Sequence, residues 1–473
     1  MLFNSFIFFI FLGVVLPIFY MLPSKMGKNI FLLISSYFFY GYWDWRFLFL
    51  LITSTCIDYF VGKALYKTKN VKKRKSFLWI SLFANLGILG VFKYFNFFIE
   101  SFTDLSFKFG WNLDYLHLNI ILPVGISFYT FQTLSYTLDI YRQKLKPTTN
   151  FIDFALFVSF FPQLVAGPIE RASALLPQLS KKLSPTKEQI ESGIVLIITG
   201  LFRKVMIGDT AGKYVDHIFG DLNGYASIEV LAALVLFSIQ IYADFSGYSR
   251  IARGTSKLLG VELMKNFEQP YLSRNITEFW RRWHISLSSW LKDYLYISLG
   301  GNRSGRIRTY INLMLTMLLG GLWHGASWNF VIWGGLHGVY LTIHKLYLGN
   351  KKPDTNNIKK LNLQTCFQIF LTYILVLFTW LFFRSTSWQS TKLFFSKIIH
   401  WQASQYTSLF FTITISYIIL TIVLDALEYK YDHDYLLKLK SKSITLGVLF
   451  AMLMVTFIYM FQSDPLPFIY FQF

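Results

Sequence analysis

Long apolar segments, separated by short polar connections, follow one another along the whole chain. The first 22 residues are almost all apolar, and further apolar stretches lie at 30–62, 77–99, 119–140, 151–168, 190–208, 228–247, 310–346, 365–383, 405–424 and 443–462. About 20 apolar residues in a helix cross the hydrocarbon core of a membrane. The pattern therefore predicts an all-α, polytopic membrane protein with about ten to twelve transmembrane or re-entrant helices.

Some of these stretches do not fit a simple membrane span. The apolar run at residues 30–41 is short for a membrane span, and Arg203 and Lys204 interrupt the stretch 190–208. Irregular backbone at membrane depth is tolerated where protein buries it, so we expect broken, tilted or re-entrant helices. No basic residue precedes Lys25, which favours a retained first helix over a secretory signal. The polar connections are short, and we predict a single membrane-embedded domain over residues 1–473.

Composition supports this class of protein and charge placement predicts its topology. Only 15% of the residues are charged, against roughly 25% in soluble domains, and the mean hydropathy is +0.44. The net charge of +20 is unevenly placed: residues 63–76 carry seven Lys or Arg and no acid, whereas residues 100–118 carry three acids and one Lys. Basic loops face the cytoplasm and meet anionic lipids, so lipids, and not nucleic acid, are the expected partners.

One histidine lies in the segment "GGLWHGASWNFVIWGGLHG", residues 320–338, which has no formal charge. Burying a polar group without a partner costs about 2–7 kcal/mol, and an ionisable residue within a membrane is a functional hypothesis by default. From the residues alone, His324 is either functional or a hydrogen-bonded core histidine. No HExxH motif or Cys/His spacing indicates zinc, and no G-x-S-x-G elbow indicates a serine nucleophile.

A second histidine, His284, lies in residues 275–310, which we predict to form an interfacial amphipathic helix ending at Gly300 and Gly301. One predicted face is apolar and the other polar. The apolar face comprises Trp280, Trp283, His284, Leu287, Trp290, Leu291 and Tyr294, and the polar face comprises Arg281, Arg282, Ser288, Ser289 and Lys292. This pattern is typical of a membrane-surface helix, and it directs His284 into the protein.

Several motifs resemble one protein family. They are "LPVGISFYTFQTLSYTLDIYR" (122–142), "FPQLVAGPIER" (161–171), "QIYADFSGYS" (240–249), "NFEQPYLSRNITEFWRRWHISLSSWLKDYLYISLGGNR" (266–303), the His324 segment and "PFIYFQF" (467–473). Together they closely resemble bacterial members of the membrane-bound O-acyltransferase family. The similar branch contains the membrane subunit of alginate O-acetyltransferase and relatives that act on peptidoglycan and other surface polysaccharides.

The resemblance implies a ring of helices around a thinned centre with a tunnel, in which His324 is the catalytic histidine and His284 a second functional one. His324 would act as general base or, as the alternative, as a transient acyl carrier; an imidazole with an ordinary pKa of about 6.5 suits the first task. Further expected tunnel or substrate residues are Trp323, Asn329 and Asp244, the last also as a structural residue. Arg281, Arg282, Lys292 and Arg303 would attract the coenzyme A phosphates or, as the alternative, lipid head groups.

The implied reaction takes an acetyl group from cytosolic acetyl-coenzyme A, with no bound cofactor, and passes it across the bacterial cytoplasmic membrane to a polysaccharide. The immediate acceptor would be a periplasmic or surface partner resembling an SGNH-type esterase or transferase. Two alternatives stay open. One is D-alanyl transfer to teichoic acid by a related protein, and the other is a non-enzymatic transporter of polysaccharides or lipid-linked sugars. The identity of the polymer does not follow from the sequence.

Overall fold

The computed structural model describes residues 1–111, 117–165, 167–349, 351, 362–432, 435–438 and 441–471. Over these ranges the chain forms helices and no strands. The α-helices are, in order, α1 to α20: Phe6–Met21, Lys25–Asp44, Leu48–Lys67, Val71–Leu89, Phe95–Lys108, Ile126–Tyr141, Phe151–Ser159, Phe161–Leu164, Ala172–Leu179, Lys187–Leu201, Thr210–Gly220, Ser227–Leu258, Ile276–Arg282, Ile285–Trp290, Arg306–His324, Trp328–Leu348, Leu363–Arg384, Trp388–Ile399, Thr407–Tyr431 and Lys442–Gln462.

Six helical segments among the described residues are long and apolar enough to cross a membrane. They are Lys25–Lys67, Val71–Lys108, Ser227–Leu258, Leu363–Arg384, Thr407–Tyr431 and Lys442–Gln462, and two shorter apolar helices are Phe6–Met21 and Phe151–Leu164. The apolar side chains on the outside of these helices are exposed because lipid, not water, is their solvent. The prediction of an all-α, multi-pass membrane protein is confirmed.

The charged interruption at Arg203 and Lys204 coincides with a distorted helix. Helix α10 continues without a break into a π-helical segment, Phe202–Asp209, before α11 begins. Arg203 is buried in ion pairs with Asp425 and Glu428 at 3.0 and 2.6 Å. Lys204 is buried between Asp209 of the same segment and Asp244 of α12, at 2.5 and 2.9 Å. The two cations therefore point into the protein, where carboxylates neutralise them.

The prediction of one continuous amphipathic helix over residues 275–299 is wrong, because the structure breaks this segment into shorter helices. Helix α13 ends at Arg282 and α14 begins at Ile285, and between them His284 adopts the left-handed conformation with φ of 41°. Arg282, placed on the polar face by the pattern, is buried and donates to Glu278 at 2.8 Å. The apolar side is largely as expected, since Leu287, Trp290 and Tyr294 are buried. A periodic pattern cannot signal a single residue with positive φ.

Helices α15 and α16 form a tight hairpin that carries His324 at its turn. A Cβ atom on Gly321 would lie 2.2 Å from the carbonyl oxygen of Phe330, and one on Gly334 would lie 2.3 Å from that of Met317. Only glycine allows the two backbones to approach this closely. The glycines of the motif therefore act in packing, and they place the last residue of α15 against the core.

Candidate active site

His324 is the last residue of α15 and is 3% exposed. Its ring lies 5.1 Å from Trp323, 4.9 Å from Trp333, 5.3 Å from Phe383 and 5.4 Å from Tyr470, measured between ring centroids. Its Nδ1 atom is buried and has no hydrogen-bond partner among the described residues. Because a buried nitrogen without a partner is unfavourable, this atom is suited to bind a group that enters from outside the fold.

The C-terminal end of α15 is held by two neighbouring residues of the π-helical segment Gly90–Tyr94. Lys93 Nζ donates to the carbonyl oxygens of Trp323 and His324 at 2.8 and 3.0 Å. Tyr94 Oη donates to the carbonyl oxygen of Leu322 at 2.7 Å. The last carbonyls of a helix have no partners within it, so these contacts satisfy them and hold His324 in place.

His284 is fully buried beside the same aromatic cluster. Its Nδ1 lies 3.3 Å from Asn266 Oδ1, and its Nε2 has no hydrogen-bond partner among the described residues. The ring centroid is 5.9 Å from that of Trp323 and 6.4 Å from that of Tyr470. Trp323 and Tyr470 thus contact both histidines, and the structure brings the two predicted catalytic residues to one site.

Tyr470 is a site residue that the sequence analysis did not identify. Its hydroxyl is buried without a hydrogen-bond partner among the described residues. The segment that carries it is held by Asp244, which accepts the backbone N–H of Ile469 at 2.8 Å and pairs with Lys204 at 2.9 Å. The motif "PFIYFQF" was the available signal, but no local pattern places this segment beside His324.

Two adjoining cavities reach this cluster. The smaller, about 70 Å³, is lined among others by His324, Trp323, Tyr470, Ser127 and Lys93. The larger, about 530 Å³, shares Lys93 and Leu122 with it. Further residues of the larger cavity are Asn96, Ile120, Ser327, Arg384 and Thr386. Asn96 and Ile120 flank the 100–118 connection, which is predicted to face away from the cytoplasm, so the larger cavity lies toward the predicted outer side. A tunnel through to the cytoplasm stays a prediction.

The other predicted site residues lie apart from the two cavities. Asn329 Nδ2 donates to the carbonyl oxygen of Ser385 at 2.8 Å and so joins α16 to the end of α17. Arg282 is buried and shares the carboxylate of Glu278 with Arg274, and Arg281, Lys292 and Arg303 are exposed. In the part of the chain that the structure describes, no three His, Cys, Asp or Glu side chains group closely enough to hold a metal ion.

Comparisons with known proteins show what the chain as a whole is similar to. A model of the membrane-bound O-acyltransferase family matches residues 142–383. The chain is similar to a probable alginate O-acetylase of Pseudomonas aeruginosa, with 42% identity over 86% of this chain and 76% of that protein. It is 36% identical to a peptidoglycan O-acetyltransferase of Helicobacter pylori over 78% of this chain and 73% of that protein. A teichoic acid D-alanyltransferase of Streptococcus thermophilus is 27% identical over 55% of this chain and 68% of that protein.

Proposed function

Since the chain belongs to the membrane-bound O-acyltransferase family and is an O-acyltransferase, we propose that it acetylates a polysaccharide outside the bacterial cytoplasmic membrane. The acetyl donor is cytosolic acetyl-coenzyme A, and His324 is the general base. The prediction of an enzyme is confirmed by the family, and this disfavours the alternative of a non-enzymatic transporter.

The unpartnered Nδ1 atom of His324, in a cavity that also exposes Lys93 and Tyr470, carries the proposal. Acyl transfer from a thioester to an alcohol needs a base for the incoming hydroxyl proton, and a neutral imidazole supplies one. Aromatic side chains surround the ring, and they keep bulk water from competing with the acceptor for the acyl group. His284, whose ring also contacts Trp323, would position the donor or stabilise developing charge.

The names of the relatives favour acetyl transfer to a polysaccharide. Two relatives that share 42% and 36% identity with most of the chain are described as O-acetylating enzymes of alginate and peptidoglycan. The D-alanyltransferase shares 27% identity over about half of the chain. Identity and coverage therefore both favour the acetyl group over D-alanine, while the choice between polymers stays open.

The small volume of the cavity at His324 indicates which kind of acceptor first receives the acetyl group. A volume of about 70 Å³ at His324 is far below the roughly 300–1,000 Å³ of a site that encloses a small-molecule ligand. A hydroxyl on a slender side chain matches this space better than a polysaccharide chain does. This supports transfer first to the serine of a periplasmic or surface SGNH-type partner, which enters through the larger cavity and then acetylates the polymer.

On the predicted cytoplasmic side, Arg281, Lys292 and Arg303 are the exposed cations that would attract the coenzyme A phosphates. Arg282 is left out of this role because its side chain is buried. The lipid surface is the competing partner of the three exposed cations.

The test is the acetyl ester content of the cell-surface polymer in a deletion strain complemented with variants. His324→Ala should abolish base-labile acetate, and His284→Ala should lower it severely, both at unchanged protein level. His337→Gln is the matched control, because His337 is a buried histidine whose nitrogens already contact Trp280 Nε1 at 3.3 Å and Thr379 Oγ1 at 3.0 Å. Full acetylation with His324→Ala would exclude the catalytic assignment.

The D-alanyl alternative makes a different prediction in the same strains. Esterified D-alanine, and not acetate, would then disappear from the envelope of the His324→Ala strain. Membranes that carry the wild-type protein would label the polymer from a D-alanyl carrier protein but not from radiolabelled acetyl-coenzyme A.

A further inference from the structure

Lys93 lines both cavities at the point where they meet. Two of its N–H groups donate to the carbonyl oxygens of Trp323 and His324. Ser127 Oγ is 3.5 Å from Nζ, beyond the usual N–H···O range of about 2.7–3.2 Å. The third N–H group is therefore only weakly engaged, and Nζ and Ser127 both border the smaller cavity beside His324.

Lys93 differs from three buried cations that are paired with carboxylates, and from Lys28, which also donates to a backbone carbonyl, that of Leu183 at 2.8 Å, but lines neither cavity. Arg203, Lys204 and Arg250 are each paired with at least one carboxylate. Lys93 lies within the candidate span Val71–Lys108, and no carboxylate of the described residues is within ion-pair distance of it. Cations at membrane depth are unfavourable and mark functional sites when no structural partner accounts for them.

Helix capping alone does not require a cation at this position. Tyr94, the next residue, satisfies the carbonyl oxygen of Leu322 with a neutral hydroxyl. A neutral side chain at position 93 would satisfy its carbonyls in the same way. The positive charge beside His324 therefore needs a different explanation.

We propose that Lys93 is a further catalytic residue, which stabilises the negative charge that forms on the acyl carbonyl oxygen during transfer; this inference rests on the proposed function. The acceptor O–H bond breaks and its proton goes to the His324 imidazole, while the acceptor oxygen bonds to the acyl carbon. The carbonyl electron pair moves onto the oxygen, which faces Lys93 Nζ and the Ser127 hydroxyl. When this pair returns, the C–S bond breaks, and the proton passes from His324 to the thiolate to give ester and thiol.

The placement suits this task because the donor is fixed before the reaction begins. Two carbonyl oxygens from the helix that carries His324 hold Nζ, so base and donor keep a constant relative position. Preorganised donors in sites shielded from water stabilise an oxyanion strongly, and removal of one such donor typically lowers kcat by about 10²–10³-fold.

The test compares Lys93→Gln with Tyr94→Phe in membrane vesicles that receive radiolabelled acetyl-coenzyme A. Each variant changes one of the two residues that cap the end of α15, but only Lys93 lines the cavities, and glutamine at position 93 keeps N–H donors while it removes the charge. Lys93→Gln should lower kcat about 100-fold or more, with KM for acetyl-coenzyme A and thermal stability little changed. Tyr94→Phe, which loses one capping hydrogen bond but no charge at the cavity, should lower kcat at least tenfold less than Lys93→Gln does. Equal losses in the two variants, or a rise in KM without a fall in kcat, would overturn the proposal.

Chemical rescue separates charge from packing. Lys93→Cys is prepared together with Cys56→Ser and Cys366→Ser, so that no native cysteine reacts, and is then alkylated. Treatment with 2-bromoethylamine, which restores an amine of nearly the same length, should recover at least tenfold in rate, whereas the neutral product of 2-bromoethanol should not. Recovery with both reagents would indicate a packing role and reject the inference.

Testing His324→Ala in the same vesicles distinguishes failure of the role proposed for Lys93 from failure of the role proposed for His324. If His324→Ala is inactive and Lys93→Gln is fully active, only the role of Lys93 fails. If His324→Ala is as active as the wild type, the general base of the proposed function fails.

Discussion

Asp244 accepts the backbone N–H of Ile469 at 2.8 Å, although 225 residues separate the two. The next residue, Tyr470, contacts both His284 and His324. A carboxylate in the middle of α12 therefore determines where the C-terminal segment enters the site. Lys204, which pairs with Asp244 at 2.9 Å, keeps this carboxylate in place.

Replacing Asp244 should misplace Tyr470. Asp244→Ala removes a charged hydrogen bond of about 2 kcal/mol, and a shift of about 1 Å at the site is expected to lower acetylation about 100-fold. Asp244→Asn, which can still accept the N–H of Ile469, should retain more activity. Polymer acetyl content and thermal unfolding in detergent provide the measurements.

Lys213→Ala is the control, because Lys213 contacts the same segment at Ser463 but in an exposed position. Lys213→Ala should leave the polymer acetyl content and the thermal stability almost unchanged. If Asp244→Ala lowered stability yet left acetylation per folded molecule intact, the segment would have no part in the site.

Loss of the Tyr470 hydroxyl should affect activity and not stability. The hydroxyl has no protein partner among the described residues, so Tyr470→Phe removes no internal contact. In the cavity with His324 it can hydrogen-bond to substrate, and losing such a bond should lower the rate about 10- to 100-fold. Initial rates of polymer labelling measure this.

Tyr248→Phe is the matched control for Tyr470→Phe. Tyr248 also has a buried hydroxyl without a partner in the described part of the chain, but it lines neither cavity. Its variant should be fully active. Similar losses in both variants would point to aromatic packing instead of substrate contact.

Glu428 should be among the most sensitive positions for stability. It receives Arg203 at 2.6 Å and also pairs with Arg250, and all three side chains are buried. Glu428→Ala leaves buried guanidinium charge insufficiently compensated, which costs about 3–5 kcal/mol. The unfolding midpoint in detergent should fall sharply, whereas Glu191→Ala on an exposed helix face should change it little. A wild-type midpoint for Glu428→Ala would show that the network is not needed for folding.

Glu170 predicts a pH dependence of stability. Glu170 follows the apolar stretch 151–168 and lies outside the candidate membrane spans. Burial raises the pKa of its carboxyl from 4.5 to about 7. The N–H of Met264 and the charges of Arg253 and Arg171 oppose this rise but do not cancel it. Because the folded state holds the proton more tightly, this contribution is present below about pH 4.5 and is lost as the pH rises through about 7.

Glu170→Gln keeps an acceptor for the Met264 N–H but cannot ionise. The variant should therefore be more stable than the wild type above pH 7, by on the order of 2 kcal/mol, with a flatter profile between pH 4.5 and 7. Thermal unfolding across this range is the measurement. Identical profiles for wild type and variant would mean that Glu170 is not buried in solution.

Much of the site could be predicted because its parts lie in short motifs. His324 and His284 each lie in an aromatic motif that resembles the family, and both prove to be buried in one cluster. The break at His284 was missed because helical periodicity continues through it, and a left-handed φ of 41° leaves no periodic trace. Lys93 was missed because it looks like an ordinary charge within an apolar stretch.

The sequence by itself determined the solvent of this protein, its helical class, its family and the two histidines. These properties follow from segment length, apolar content and local motifs, which depend on neighbouring residues alone. Only the tertiary structure decided that Lys93, His284, His324 and Tyr470 share one site. Their contacts join segments up to hundreds of residues apart, and such contacts arise from helix packing and buried ion pairs that no local pattern encodes.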